Sequence, residues 1–300
     1  MNSRSSRKIS MAMSSRKALL LTAGVTIAVA LCFFVVLAPL TDAPQPLPRF
    51  SSYFMQPMFI DDAFGAIGSV SVRSDVNMVL VNHHLLGSNL IAHIMATVAT
   101  SEPLTVILVS PDHFATGAAP ITSVIAQWPT PFGDIEPSAE VVLMLASSGA
   151  VYLQEEPFAR EHGITNITMF VKKAMPNARL VPIIVRNDAA SARIDALAQA
   201  ISLIPKRTLV IGSFDFTHDA TDSVARVNDA HSLQLLESGE SDGADDIVVD
   251  SKPGIRLLMT LAKLKHLTFR VADQSNSAQL LHDYSRTDVT SYITGTWESK

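Results

Sequence analysis

The sequence predicts an α/β fold: a single three-layer domain with a central, mostly parallel or mixed sheet flanked by helices, preceded by one N-terminal transmembrane helix. Three observations predict it. Short runs rich in Val, Ile and Leu alternate with amphipathic stretches, the rhythm of βα units. Several runs are apolar throughout, as in Val106-Ile107-Leu108-Val109 and Val181-Pro182-Ile183-Ile184-Val185, which suits strands covered on both faces. Ahead of them all lies an uncharged apolar stretch, residues 18–40.

That stretch would span roughly 35 Å as a helix at ~1.5 Å per residue, enough to cross a bilayer. Arg4, Arg7, Lys8, Arg16 and Lys17 precede it, and the first acid is Asp42. The positive-inside rule then places residues 1–17 in the cytoplasm and the bulk of the chain outside it, as a single-pass membrane protein. A cleaved signal peptide, which would leave a secreted protein, is the rival reading, and a buried core helix the third. Signal peptides have apolar regions of only ~7–15 residues, so the anchor is preferred. The sole cysteine, Cys32, falls inside the run. The rest of the chain therefore forms no internal disulfide and offers neither thiolate ligand nor cysteine nucleophile.

Residues 41–50, with Pro44, Pro46 and Pro48, read as an extended tether. Beyond it strands are expected at 78–81, 104–109, 121–128, 180–185, 208–211, 267–271 and 289–295. Helices are expected at 88–97, 138–145, 164–175, 190–203, 223–236 and 253–263. The segment 237–246 is a polar, acidic loop. With no internal repeat and no second linker, 51–300 reads as one domain. The net charge of −5 and the lack of a basic stripe argue against nucleic-acid binding.

In an open α/β sheet the ligand crevice lies just past the carboxyl ends of the strands. Three such ends carry histidine. His83 and His84 follow the first strand, where alternation would let only one of them face a site. Asp112-His113 follows the second; Asp112 is either a partner fixing the tautomer of its neighbour or a turn cap. After the strand at 208–211, Asp215 and His218 are three residues apart, a spacing that lets a carboxylate orient an imidazole for acid–base work, the alternative being a cap and an exposed ring. Glu161-His162 opens a helix, where the dipole disfavours a cationic ring; a solvated acid–base pair is the plain alternative. Asp250, ahead of the last long helix, is either its N-cap or a carboxylate for a metal held by two histidines. The sequon Asn166-Ile167-Thr168 lies inside an expected helix and carries little weight.

These segments, in this order, resemble the Memo family, also called AmmeMemoRadiSam system protein B, which is similar in fold to class III extradiol dioxygenases. The resemblance runs from about Val76 to Trp297 through Asn82-His83-His84, Ser110-Pro111-Asp112-His113, Thr130-Pro131-Phe132-Gly133, Glu161-His162-Gly163, Val181-Pro182-Ile183, Ser213-Phe214-Asp215-Phe216-Thr217-His218 and Ser291-Tyr292. It implies His83 and His113 as metal ligands, with Asp215, His162 and His218 lining the same pocket. The third ligand, cysteine in many family members and glutamate in the extradiol enzymes, falls on Asp250. Thr165 and Ile167 replace the Glu and Gln of the family's Glu-His-Ser-Leu-Glu-x-Gln segment.

The function expected on this resemblance is a membrane-anchored domain with a mononuclear divalent metal, iron(II) favoured over copper or zinc. His83, His113 and Asp250 would hold the ion; His218, Asp215 and His162 would be the catalytic groups. The chemistry would be oxidoreductase, dioxygenase-like, on an unknown small molecule or peptide. A non-catalytic metal- or peptide-binding module and a metal-assisted hydrolase are the alternatives.

Overall fold

The computed structural model describes residues 46–205 and 207–299. The expected cytoplasmic tail, membrane segment 18–40 and Cys32 lie outside the described residues. Among the described residues, no helix is long and apolar enough to cross a membrane. The end of the expected tether is held to the domain, since the Phe50 amide donates to the Gln127 carbonyl at 3.1 Å and the Gln127 amide to the Pro48 carbonyl at 2.9 Å.

Helix α1 (Pro57–Ala66) precedes β1 (Met78–Val81), α2 (Ser88–Thr97), β2 (Leu104–Pro111) and the short strands β3 (Ile121–Ser123) and β4 (Glu136–Pro137). Then come α3 (Ala139–Ser147), β5 (Tyr152–Leu153), α4 (His162–Ala174), β6 (Ala178–Val185), α5 (Ser191–Ser202) and β7 (Thr208–Ser213). The chain finishes with α6 (Asp222–Ser238), α7 (Lys252–Lys265), β8 (Leu267–Asn276), α8 (Ser277–Leu281) and β9 (Ser291–Ser299). The sheet is mixed, in the order β5-β3-β6-β2-β7-β1-β9-β8, with β4 also on β6. Its centre, β6-β2-β7-β1, is parallel; β9 and β8 extend it antiparallel.

Side-chain alternation divides the core into two layers around the sheet. Val79, Val81, Val106, Leu108, Leu209 and Ile211 face Ile60 of α1, Ile91 of α2 and Phe170 of α4. Met78, Leu80, Ile107, Val109 and Val210 face Val142 of α3, Leu197 of α5 and Leu258 of α7. The architecture is the three-layer one expected.

Besides the short elements β4, β5 and α8, which were not expected, three differences from the sequence reading have local reasons. The strand expected at 121–128 stops at Ser123, where its pairing with β6 ends; β6 is paired farther along by β4 at Arg179 and Leu180, and Trp128 makes only an isolated bridge to Ile135. Strand β8 runs on to Asn276 through polar residues, since as the last strand of the sheet it pairs with β9 alone. Helix α1 escapes a periodicity search because only Ile60 and Ala63 of its ten residues are buried.

Helix α6 carries a buried acid outside the site. Asp229 accepts the Ser291 hydroxyl at 2.6 Å and the Thr217 hydroxyl at 3.3 Å. Burial pushes its carboxyl up from 3.8 to about 6, against the pull of these hydrogen bonds. The folded state therefore binds this proton more tightly than the unfolded chain does, and stability falls as pH rises from 3.8 through 6. Asp229→Asn is expected to remove that slope and to stabilise the protein at pH 7 by on the order of 1–3 kcal/mol. Urea unfolding of both forms at pH 4 and pH 7 measures it; equal stabilities at pH 7 would contradict the prediction.

Candidate metal centre

The carboxyl ends of β1, β2 and β7 meet the start of α4. His83 stands two residues past β1, His113 two past β2, and His162 is the first residue of α4. Their rings are mutually close: centroids are 4.8 Å apart for His83 and His113, 5.0 Å for His83 and His162, and 4.2 Å for His113 and His162. One nitrogen from each ring lies within 4.8 Å of the others, so the three histidines are positioned to bind a metal ion.

Hydrogen bonding fixes which nitrogens are free. His113 Nδ1 lies 2.6 Å from Glu161 Oε1. Glu161 is fully buried and also accepts the amides of His113 at 3.0 Å and Gly163 at 2.9 Å, the second bond making it the N-cap of α4. His83 Nδ1 lies 3.2 Å from the Ser213 carbonyl, which can only accept, so that nitrogen carries the proton. Both rings are thus left with Nε2 as a lone-pair donor, in the manner of metal-binding histidines oriented by a carboxylate or a carbonyl.

The Nε2 atoms face carboxylate oxygen. His83 Nε2 is 3.4 Å from Asp215 Oδ2 and 3.5 Å from Asp250 Oδ2, and His113 Nε2 is 3.7 Å from the same Asp250 oxygen. Asp215 and Asp250 clasp each other: the Asp250 amide donates to the Asp215 carbonyl at 3.0 Å, and the Asp215 amide to Asp250 Oδ2 at 2.9 Å. Asp250 Oδ1 is buried and has no hydrogen-bond partner among the described residues. Lone pairs set against lone pairs, with an unsatisfied carboxylate oxygen among them, call for a proton or a cation. A divalent ion fits this donor set.

The electrostatics agree. Burial works against a charged His113 ring, but Asp250 and Glu161 outweigh it and raise His113 to about 10. Burial also opposes ionised Glu161, yet its bond to His113 and the two amides hold it below the usual carboxylate range. His162 is pushed down to about 4, by burial and then by the His83 and His113 charges, and stays neutral. The neutral ring at this helix start agrees with the sequence reading, with burial and the neighbouring rings as its cause.

The remaining expected residues fall as follows. His83 and His84 both line one cavity of about 230 Å³ with His113, His162 and His218, because the chain leaves strand geometry after Val81. Asp215 accepts the His83 amide at 3.1 Å and the His84 amide at 3.5 Å. It makes no hydrogen bond to His218 among the described residues; His218 is exposed, with Nδ1 3.5 Å from Thr290 Oγ1. Asp112 proves to be the turn cap, accepting the amides of Thr116 at 3.3 Å and Gly117 at 3.1 Å, while Glu161 does the orienting. Asp250 is not the cap of α7, since Ser251 accepts the Gly254 amide at 3.1 Å. Asn166 of the sequon is engaged on both sides, by Ser52 at 2.8 Å and the His83 carbonyl at 3.2 Å.

Two residues of this region were not singled out from the sequence. Glu161 was noted only as the neighbour of His162, although an acid immediately before a helix is a readable capping signal. Tyr292, whose hydroxyl meets His84 Nδ1 at 2.6 Å, gave no local sign of its role.

A family model described as Memo-like protein matches residues 67–295, most of the chain. The chain belongs to the Memo family. A MEMO1 family protein of Nitrosopumilus maritimus is 29% identical over 136 residues, 44% of this chain and 49% of that protein. One from Methanothermobacter thermautotrophicus is 24% identical over 155 residues, 50% and 56% of the two chains. One from Methanopyrus kandleri is 28% identical over 163 residues, 52% and 58%. The chain thus spans about half the length of the curated relatives it matches. The Memo match takes in all three clustered histidines, Asp215 and Asp250.

Proposed function

We propose that this Memo domain is a metal-dependent oxidoreductase with dioxygenase-like chemistry on a small molecule, and that His83, His113 and Asp250 hold its single divalent ion. The observation that carries the reading is the buried Asp250 carboxylate: Oδ2 lies 3.5 and 3.7 Å from the Nε2 atoms of two imidazoles whose Nδ1 atoms are already committed, and Oδ1 has no hydrogen-bond partner among the described residues. Two histidines and a carboxylate favour iron(II) over copper or zinc. The ion, when bound, supplies Lewis acidity and open positions for substrate and oxygen.

The chain's own groups do the rest. Glu161 and the Ser213 carbonyl hold the two ligand rings in one tautomer. Asp215 anchors the backbone of His83 and His84 and, through its own backbone, Asp250. His162, neutral and 40% exposed in its side chain, is placed to hydrogen-bond to bound substrate. His218, lining the same cavity beside Thr290, is placed to take or return a proton. Within the same proposal, the apolar stretch 18–40 and its basic flank anchor the domain to a membrane.

A second reading rests on the three-imidazole cluster, a donor set that also suits zinc and hydrolysis. Anaerobic purification of the full chain with elemental analysis separates the two. About one iron per chain, with oxygen uptake in the presence of substrate, is expected. Zinc at that stoichiometry with oxygen-independent turnover would replace the proposal by hydrolysis, and no stoichiometric metal would remove both.

A further inference from the structure

Around His84, Asn166 and His162 the wall of the cavity presents donors. Tyr292 is fully buried, and among the described residues its hydroxyl meets a single partner, His84 Nδ1, at 2.6 Å. A buried hydroxyl needs an acceptor for its proton, so the tyrosine donates and Nδ1 accepts. The His84 proton is thereby placed on Nε2, the ring's remaining polar atom, which has no protein partner among the described residues. The His84 ring lines the cavity.

The neighbouring groups point the same way. Asn166 uses one amide hydrogen on the His83 carbonyl, at 3.2 Å, and its oxygen on Ser52, leaving a second hydrogen to offer. The His162 nitrogens have no close partner, Nδ1 lying 3.9 Å from Glu161. Two carboxylates supply the acceptors of the site: Asp215 Oδ1 takes two backbone amides and its Oδ2 lies 3.4 Å from His83 Nε2, while Asp250 Oδ2 takes a third amide and its free oxygen belongs to the proposed metal ligand. A ligand complementary to this wall is rich in acceptors and offers few donors. The cavity of about 230 Å³ corresponds to roughly eight waters at ~30 Å³ each, room for a small organic acid rather than a folded partner.

Resting on the metal-centre reading for the place where substrate enters, we infer that the substrate is a small carboxylate and that His84, its proton placed by Tyr292, is the specificity-determining donor to the carboxylate oxygen. Tyr292 is then a positioning residue acting through His84.

Benzoate and its neutral isostere benzamide are suitable probes, titrated calorimetrically into the full chain in metal-free and zinc-loaded forms. Benzoate is expected to bind at least about tenfold more tightly than benzamide. A hydrogen bond to a charged group is lost in His84→Ala, which should weaken benzoate roughly ten- to a hundredfold. His84→Gln, which restores an N–H donor, should recover part of that loss. Tyr292→Phe, which leaves the imidazole in place but frees its tautomer, should weaken benzoate by about tenfold while metal content stays unchanged. Thermal unfolding verifies the fold of each variant, and Tyr292→Phe keeps the test decisive if His84→Ala does not fold.

Equal affinity for the two probes, or no benzoate binding by either form, would overturn the substrate class. Unchanged benzoate affinity in His84→Ala and Tyr292→Phe would overturn the role of His84. If zinc is not retained but benzoate binding to the metal-free protein still depends on His84, the metal proposal fails and this one stands.

Discussion

Asp250→Asn is expected to strip the protein of its metal without unfolding it. The carboxylate has one oxygen committed to the Asp215 amide at 2.9 Å, a bond the asparagine amide oxygen can retain. The other oxygen, Oδ1, is buried and has no partner among the described residues. Leaving a buried carboxylate oxygen unpaired is costly, so its negative charge favours ion binding. Removing that charge should lower divalent-metal affinity by about a hundredfold or more, and should lower metal-free thermal stability at neutral pH, because Asp250 is one of the two carboxylates that hold His113 protonated. Metal content after dialysis and thermal unfolding of both forms read the two effects. If the variant keeps stoichiometric metal, Asp250 is not a ligand. The contrast with His162 sharpens the test: His162→Gln should retain metal if that ring serves substrate, and lose it if the three imidazoles form the ligand set.

Glu161→Ala is expected to be the most destabilising change in the pocket. Glu161 caps α4, orients His113 at 2.6 Å and takes the His113 amide at 3.0 Å, all from a fully buried position. Breaking a buried pair by removing one partner typically costs about 3–5 kcal/mol. Loss of the group that orients a metal-binding histidine typically lowers metal affinity about 10–100-fold. Denaturant unfolding and metal titration should both register, and a variant within about 1 kcal/mol of the parent would show that the cap and the pair are dispensable.

The same pair gives the metal-free protein a pH profile with two edges. His113 is raised from 6.5 to about 10, so its contribution is complete below pH 6.5 and is lost as pH rises through 10. Glu161 is held below its ordinary value of 4.5, so its contribution is present above that pH and is lost as pH falls. Metal binding must displace the His113 proton, and affinity should therefore climb with pH, by up to about tenfold per unit, across the range from 6.5 towards 10. Glu161→Gln should flatten both edges.

Much of the fold was legible because the signal is local. Continuous apolar runs such as Val106–Val109 announce strands covered on both faces, and β1, β6 and β7 were found by the same pattern. Elements that lack that signal were missed or cut short: α1 buries little, β8 is polar beyond Val271, and Glu136–Pro137 forms a strand only through its pairing with β6. The candidate site divides along the same line. Histidines just past three strand ends mark a rim that any parallel sheet would expose, whereas their partners are choices among acids. Asp112 adjoins His113 in sequence and caps a turn, while Glu161, 48 residues on, is the acid that binds its ring. Asp215 lies three residues from His218 but contacts His83, 132 residues away.

From the amino-acid sequence alone come the α/β class, the family and the strand-end histidines, because propensity, periodicity and short motifs are properties of contiguous residues. The resemblance already implied that His83, His113 and His162 share one pocket; only the folded molecule decided that Glu161 rather than Asp112 orients the His113 ring, and that one oxygen of Asp250 is left without a partner among the described residues. Those outcomes depend on β1, β7 and β2 lying side by side with α4 seated over their ends. That placement is dictated by packing across the whole sheet, which no local stretch of chain encodes.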